Sequence, residues 1–145
     1  MALVKTSDFV GGAYFKPLEH MNDLALLIEP KSIQRDVPNT YQNRVSTRDE
    51  VLCDVTVFGN TDALRDGKPS EFIKAAKFTH GMLTDTLSKI MGESTICTIA
   101  KIPTQNGSGY VFRDASDEAT VAATAYYDKR NAELDAAMAD APDFD

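Results

Sequence analysis

The chain has 145 residues, 43% hydrophobic and 26% charged, with two cysteines. No apolar run reaches the roughly 18–20 residues that a membrane-spanning helix needs, and the N-terminus lacks the apolar stretch of a signal peptide. The composition therefore excludes membrane, collagen-like and disulfide-scaffold classes and fits one soluble domain with its own core. The net charge of −7 is unevenly spread. From Asn131 onward there are five acidic residues and no lysine or arginine, whereas Lys31 to Arg113 holds eleven bases and nine acids. A near-neutral body with an acidic end is a pattern to test against nucleic-acid binding.

Residues 1–23 mix Gly11-Gly12, Pro17 and polar side chains and read as an N-terminal arm, with a short turn at most. Leu24 to Ile28 is an apolar run closed by Glu29-Pro30. It reads as a first strand in which Pro30 marks an edge or a bulge, with Ser32 to Val37 as its continuation. Pro38 to Arg44 reads as a loop by composition. Val51 to Phe58 alternates with period two. Val51, Cys53, Val55 and Val57 are expected inward, and Asp54, Thr56 and Phe58 on the more exposed face. Gly59-Asn60 ends this strand and Asp66 to Pro69 forms a turn. Phe72 to His80 fits either helix or strand. Gly81 to Met91 has helical apolar spacing and Gly92 is placed to stop it. Thr95–Ile102 and Tyr110–Arg113 form a hairpin across the turn Pro103 to Gly109. Asp114 or Ser116 then caps a helix from about Asp117 to Met138, with Ala123, Tyr127, Leu134 and Met138 along one side. Residues 139–145 are polar, acidic and terminal, and are expected to be disordered.

No catalytic constellation stands out. His20 and His80 are far apart and have no cysteine or histidine at zinc-ligand spacing, so both read as packing or surface residues. There is no phosphate-binding glycine loop and no nucleophile elbow. Cys53 and Cys97 sit in apolar runs and read as small reduced core residues. The expectation is a protein that binds rather than transforms, without metal or cofactor.

What remains is a set of cations and rings on β elements: Arg35, Tyr41, Arg44 and Arg48 around the first loop, Phe58 on the second strand, Lys74 and Lys77 on the next segment, and Lys101, Tyr110, Phe112 and Arg113 about the hairpin. Cations follow phosphates while flat rings stack on bases of any identity, which is the mixture that single-stranded nucleic acid requires. Tyr110 and Phe112 share one face of a short strand, and that face is equally readable as core.

Several pieces of the chain, in order, resemble a family of small proteins from phages of actinobacteria. They are Phe15–His20, Leu26–Lys31, Asp54–Phe58, Gly67–Ser70, Tyr110–Asp114 and Ala125–Arg130. The resemblance implies an OB-fold single-stranded DNA-binding protein. It also implies that the segment matching Phe72–His80 is a strand, but it carries over no individual DNA-contacting residue. The fold expected on this basis is mainly β with helices in β-β-β-α-β order. It would have an arm (1–23), a five-stranded OB barrel (24–115), a C-terminal helix (116–138) and an acidic tail (139–145). The expected function is sequence-tolerant binding of single-stranded DNA in phage replication or recombination, in the cytoplasm of a bacterial host. Asp140, Asp143, Phe144 and Asp145 of the tail would recruit replication or recombination proteins; the other reading of the tail is a solubilising disordered end. The other reading is an OB-like interaction or inhibitory module for a host or phage protein. RNA against DNA, and self-association into a homo-oligomer, stay open.

Overall fold

A computed structural model describes residues 14–105 and 107–139; the side chains of residues 39, 41 and 139 are outside what it describes. Five antiparallel strands, β1 (Ala25–Tyr41), β2 (Arg44–Phe58), β3 (Glu71–Phe78), β4 (Thr95–Thr104) and β5 (Gly107–Asp114), form one sheet in the order β3-β2-β1-β4-β5. The sheet curls into a half-barrel. Three α-helices accompany it: α1 (Thr61–Asp66), α2 (Gly81–Ser88) and α3 (Asp117–Ala139). A 3₁₀ turn spans Pro17–His20. Among the described residues no helix is long and apolar enough to cross a membrane.

The alternation in β2 predicts one face correctly. Val51, Cys53, Val55 and Val57 enter the inner core with Leu26 and Ile28 of β1, Ala76 and Phe78 of β3, and Cys97 and Ile99 of β4. Leu83 and Leu87 of α2 fill the concavity, each fully buried. Burial pushes the thiols of Cys53 and Cys97 up to about 12, so both are protonated apolar packing groups. The other face departs from expectation. Thr56 and Phe58 are each 0% exposed, because α3 lies across the outer side of the sheet. There Ala25, Phe58, Ala115, Ala119 and Ala123 form a second core, with Tyr126 edge-on to Phe58 at 5.4 Å. Ser116 caps α3 as expected, its Oγ accepting from the Ala119 N–H at 3.1 Å. Farther along, Arg130 donates two hydrogen bonds to the Glu29 carboxylate, at 2.7 and 2.9 Å, and fixes the helix to β1.

Pro30 lies in a central strand at a register shift, the bulge its sequence suggested. The missing N–H is harmless there, because β1 pairs with β4 only over Leu26–Ile28. Pro38 to Arg44 is not a loop. β1 runs to Tyr41 and β2 starts at Arg44, joined by Gln42 and Asn43 with φ of 49° and 64°, the tight turn of a two-residue hairpin. Beyond Val51, β2 has left β3, so these ends stand as a two-stranded ribbon. A ribbon wetted on both faces needs no apolar alternation, which is why its composition reads as a loop.

The ambiguous segment is strand β3, which pairs with β2 from Glu71 to Phe78. Its helix-tolerant Ala75 sits at a bulge with φ 53°, its N–H donating to Asp54 Oδ1 at 3.0 Å. Helix α1 had no counterpart in the sequence reading. Asn60 accepts from the Ala63 N–H at 2.8 Å and Gly67, with φ 63°, ends the helix in the left-handed region. Residues 14–23 of the segment expected as an arm also enter the fold. Phe15 is 3% exposed and its ring lies stacked between His20 (4.8 Å) and Phe78 (4.2 Å). His20 is a packing histidine, its Nδ1 held 2.7 Å from the Asp23 carboxylate.

Candidate nucleic-acid interface

The two edge strands of the half-barrel, β3 and β5, face each other across an opening. Residues 14–20 and α2 occupy its neighbourhood, and Tyr14, Arg48, Lys77, His80, Lys101 and Tyr110 gather on its rim. The Phe15 N–H donates to the Lys77 carbonyl at 2.8 Å, which draws Tyr14 alongside β3. This sets the half-exposed Tyr14 ring near two cations, Lys77 Nζ at 5.0 Å and the Arg48 guanidinium carbon at 5.7 Å from its centre. Glu50, only 8% exposed, lies beneath them. It accepts from Arg48 Nη2 at 3.3 Å and its other oxygen is 3.9 Å from Lys77 Nζ. Arg48 Nε is buried with no hydrogen-bond partner among the described residues.

His80 stands at the entry to α2. Burial, and secondarily the Arg48 charge, hold its imidazole below the usual histidine value, favouring the neutral ring. That ring meets Tyr110 of β5 edge-on at 5.2 Å. Lys101, directly opposite Tyr110 in the β4–β5 ladder, places its ammonium 5.9 Å from the centre of the Tyr110 ring. Two shallow grooves meet at the His80–Tyr110 pair. One, of about 400 Å³, runs beside Tyr14, Pro17 and Leu18. The other, of about 510 Å³, runs beside Met82, Thr104 and Ser108. Gly109 keeps the second groove's wall thin, since a Cβ there would fall 2.9 Å from Met82 Sδ. A third groove, polar and of about 400 Å³, lies between the ribbon and α2, with Arg35, Arg48, Asp49 and Asp85 on its walls.

Of the residues singled out in the sequence, Arg48, Lys77, Lys101 and Tyr110 come together on this rim. Arg35 borders the polar groove, paired with Asp49 at 3.1 Å. Arg44 is exposed at the ribbon tip, opposite Tyr41, whose side chain is not described. Phe112 is half-buried, packed against the inner core with Phe78 at 6.3 Å. Since Tyr110 and Phe112 face inward, strand alternation turns Arg113 to the opposite side of β5, away from Lys101 and the rim. Lys74 is exposed beside the β3 bulge. Phe58 is corrected outright: fully buried beneath α3, it has no face to offer a base. Asp140, Asp143, Phe144 and Asp145 lie outside the described residues.

Two rim residues escaped the sequence reading. Tyr14 lies in a segment whose composition reads as an arm, and His80 reads as an isolated histidine. The signal for Tyr14 was its neighbour Phe15, a large apolar residue that a free arm does not need. The rim is only mildly basic, because Arg35, Arg48 and Lys77 face carboxylates. Lys74, Lys101 and Arg44 have no ion pair among the described residues. Comparisons with protein-family profiles, with curated proteins and with solved structures find no match.

Proposed function

We propose that the chain binds single-stranded DNA without sequence preference, in phage replication or recombination, and that the strand lies along the rim between β3 and β5. The observation that carries this reading is the interleaving of rings with cations there: Tyr14 with Arg48 and Lys77, then His80 and Tyr110 with Lys101. The grooves on either side of the His80–Tyr110 pair offer two neighbouring base-sized recesses. Base-on-ring stacking contributes on the order of 1–3 kcal/mol per base, so two rings suffice for useful affinity. The strand order supports reading the half-barrel as an OB barrel left open between β3 and β5, the two strands whose meeting would close the ring. The ribbon is the β1–β2 connection, which in that architecture borders the ligand. The phage setting, the host cytoplasm and the recruiting role of the acidic tail rest on the family resemblance.

The test is a titration of fluorescent oligo-dT, with duplex DNA and single-stranded RNA as competitors, at several salt concentrations. Three phosphates held by Arg48, Lys77 and Lys101 give a slope of log K against log salt near −2, at about −0.7 per phosphate. Duplex should compete weakly, because its bases are already stacked. Absence of oligo-dT binding at low salt removes this reading.

A second reading, an interaction or inhibitory module for another protein, is favoured by two features. Three of the cations already share two carboxylates, Arg35 with Asp49 and Arg48 and Lys77 with Glu50, and the apolar Leu18 and Met82 stand 67% and 43% exposed at the groove edges. It predicts a partner captured with little salt dependence and no affinity for oligo-dT.

A further inference from the structure

β3 is an end strand of the sheet. One of its edges pairs with β2. Among the described residues the other edge is met only at Lys77, which forms a parallel bridge with Tyr14 and accepts from the Phe15 N–H at 2.8 Å. From Glu71 to Ala76 that edge pairs with no described strand. An open edge of this kind templates the addition of another strand. It also carries exposed apolar surface. Phe72 is 54% exposed on the outer face, beside Tyr126, while Ile73 packs against the inner core. Because the bridge is parallel, the chain leading into Tyr14 arrives from the direction of Glu71. Residues 1–13 precede it and lie outside the described residues.

We propose that the free edge of β3 is the docking site of residues 9–13 of the same chain, added as a short parallel strand. The bridge at Lys77 sets the direction of approach, and the junction is already anchored. Phe15 is buried between His20 and Phe78, so only five further residues have to be ordered. Residues 9–13 are Phe-Val-Gly-Gly-Ala, with no proline and no charge. Every N–H there can donate, and no ion has to leave water. Counted in step from Tyr14 and Lys77, Phe9 comes level with Phe72 and Val10 with Ile73. Successive strand residues face opposite sides, so this pair sends one apolar side chain to each face: Phe9 onto the exposed ring of Phe72, Val10 toward Ile73. Gly12 and Gly11 fall opposite Ala75 and Lys74, where the bulge with φ 53° bends β3. Without a Cβ they can follow that bend. The added strand covers one of the two sheet edges and withdraws it from pairing with other chains. It does not depend on nucleic-acid binding.

Cross-linking of the full chain tests this. Phe9→Cys/Phe72→Cys treated with a short bis-maleimide should give a cross-link within one monomer, identified by peptide mass after proteolysis. Cys53 and Cys97 are buried and protonated, so the two introduced thiols are the reactive ones. Phe9→Cys/Val45→Cys is the contrast and should give none. Val45 is exposed on the ribbon, and at ~3.3 Å per residue it lies about 36 Å along β2 from Thr56, the partner of Phe72. Hydrogen exchange gives a second readout without added thiols. In Phe9→Asp/Val10→Asp, amides on the free edge of β3 between Glu71 and Ala76 should exchange about tenfold faster than in wild type. β4 and β5 should keep their protection, which shows the variant to be folded. Cross-linking at Phe72 no greater than at Val45, a cross-link between chains instead of within one, or β3 exchange unchanged in the aspartate variant overturns the proposal.

Discussion

Replacing Tyr14 by alanine takes away a ring that is 52% exposed and leaves Lys77 and Arg48 in place. About half of the ring's surface is covered, on the order of 100 Å², so the lost burial costs at most about 2–3 kcal/mol at ~25 cal/mol per Å². At roughly 4 °C per kcal/mol for a chain of this size, the melting temperature should fall by about 10 °C or less and the protein should stay folded at 20 °C. If the ring is a stacking platform, oligo-dT affinity should fall by about 1–3 kcal/mol, or roughly 5- to 150-fold. Because both cations remain, the salt slope should not change. Tyr14→Phe retains the ring and should bind like wild type. Fluorescence anisotropy at three salt concentrations, beside a thermal melt of each variant, gives all of these quantities. A folded Tyr14→Ala protein whose affinity stays within twofold of wild type would refute the placement of the strand on this rim.

Phe58→Ala should behave in the opposite way. It opens a cavity under α3 and should cost about 3–5 kcal/mol by chemical denaturation, with affinity unchanged wherever the variant is still folded. Arg44→Ala at the ribbon tip should lower the magnitude of the salt slope by about 0.7 if the ribbon touches a phosphate; the titration series reads this directly, and an unchanged slope removes the ribbon from the interface. His80 carries a pH dependence of defined sign. Its folded-state value lies below the ordinary one of about 6.5, so the unfolded chain binds more protons. The contribution of His80 to stability is therefore present above pH 6.5 and lost as pH falls through the folded value. His80→Gln should flatten that part of a melting-temperature profile between pH 7 and 5, and an unaltered profile would contradict it.

The sequence by itself determined the features that depend on local chemistry. Period-two alternation placed Val51, Cys53, Val55 and Val57 on one face, because successive strand side chains point to opposite sides. Asp117 and Ser116 marked the start of α3, since a hydroxyl cap and first-turn acids satisfy the helix N-terminus whatever lies around it. Pro30 announced a bulge, whereas the helix expected to run from Gly81 to Met91 ends at Ser88, and Gly92 lies in the turn beyond it rather than at its cap. The Phe72–His80 segment could not be decided locally, as its residues suit either state; pairing with β2 made it a strand.

Tertiary structure alone decided which side of β2 is dry and where the candidate site lies. Alternation ranks two faces by residue type, but both faces of a strand are buried when a helix covers the second. Phe58 and Thr56 were read as exposed because nothing within β2 tells that α3, 60 residues on, will lie over them. The ribbon followed the same logic in reverse: without a core on either face, Pro38 to Tyr41 shows no strand pattern, and only its cross-strand register with Arg44 to Thr47 identifies it. The rim is the furthest from local reading. Tyr14, Arg48, Lys77, His80 and Tyr110 come from four separate stretches of the chain, and the curl of the sheet brings them to one opening. Their meeting is fixed by long-range pairing, such as the Phe15 N–H on Lys77 and Lys101 opposite Tyr110, which no spacing along the chain encodes.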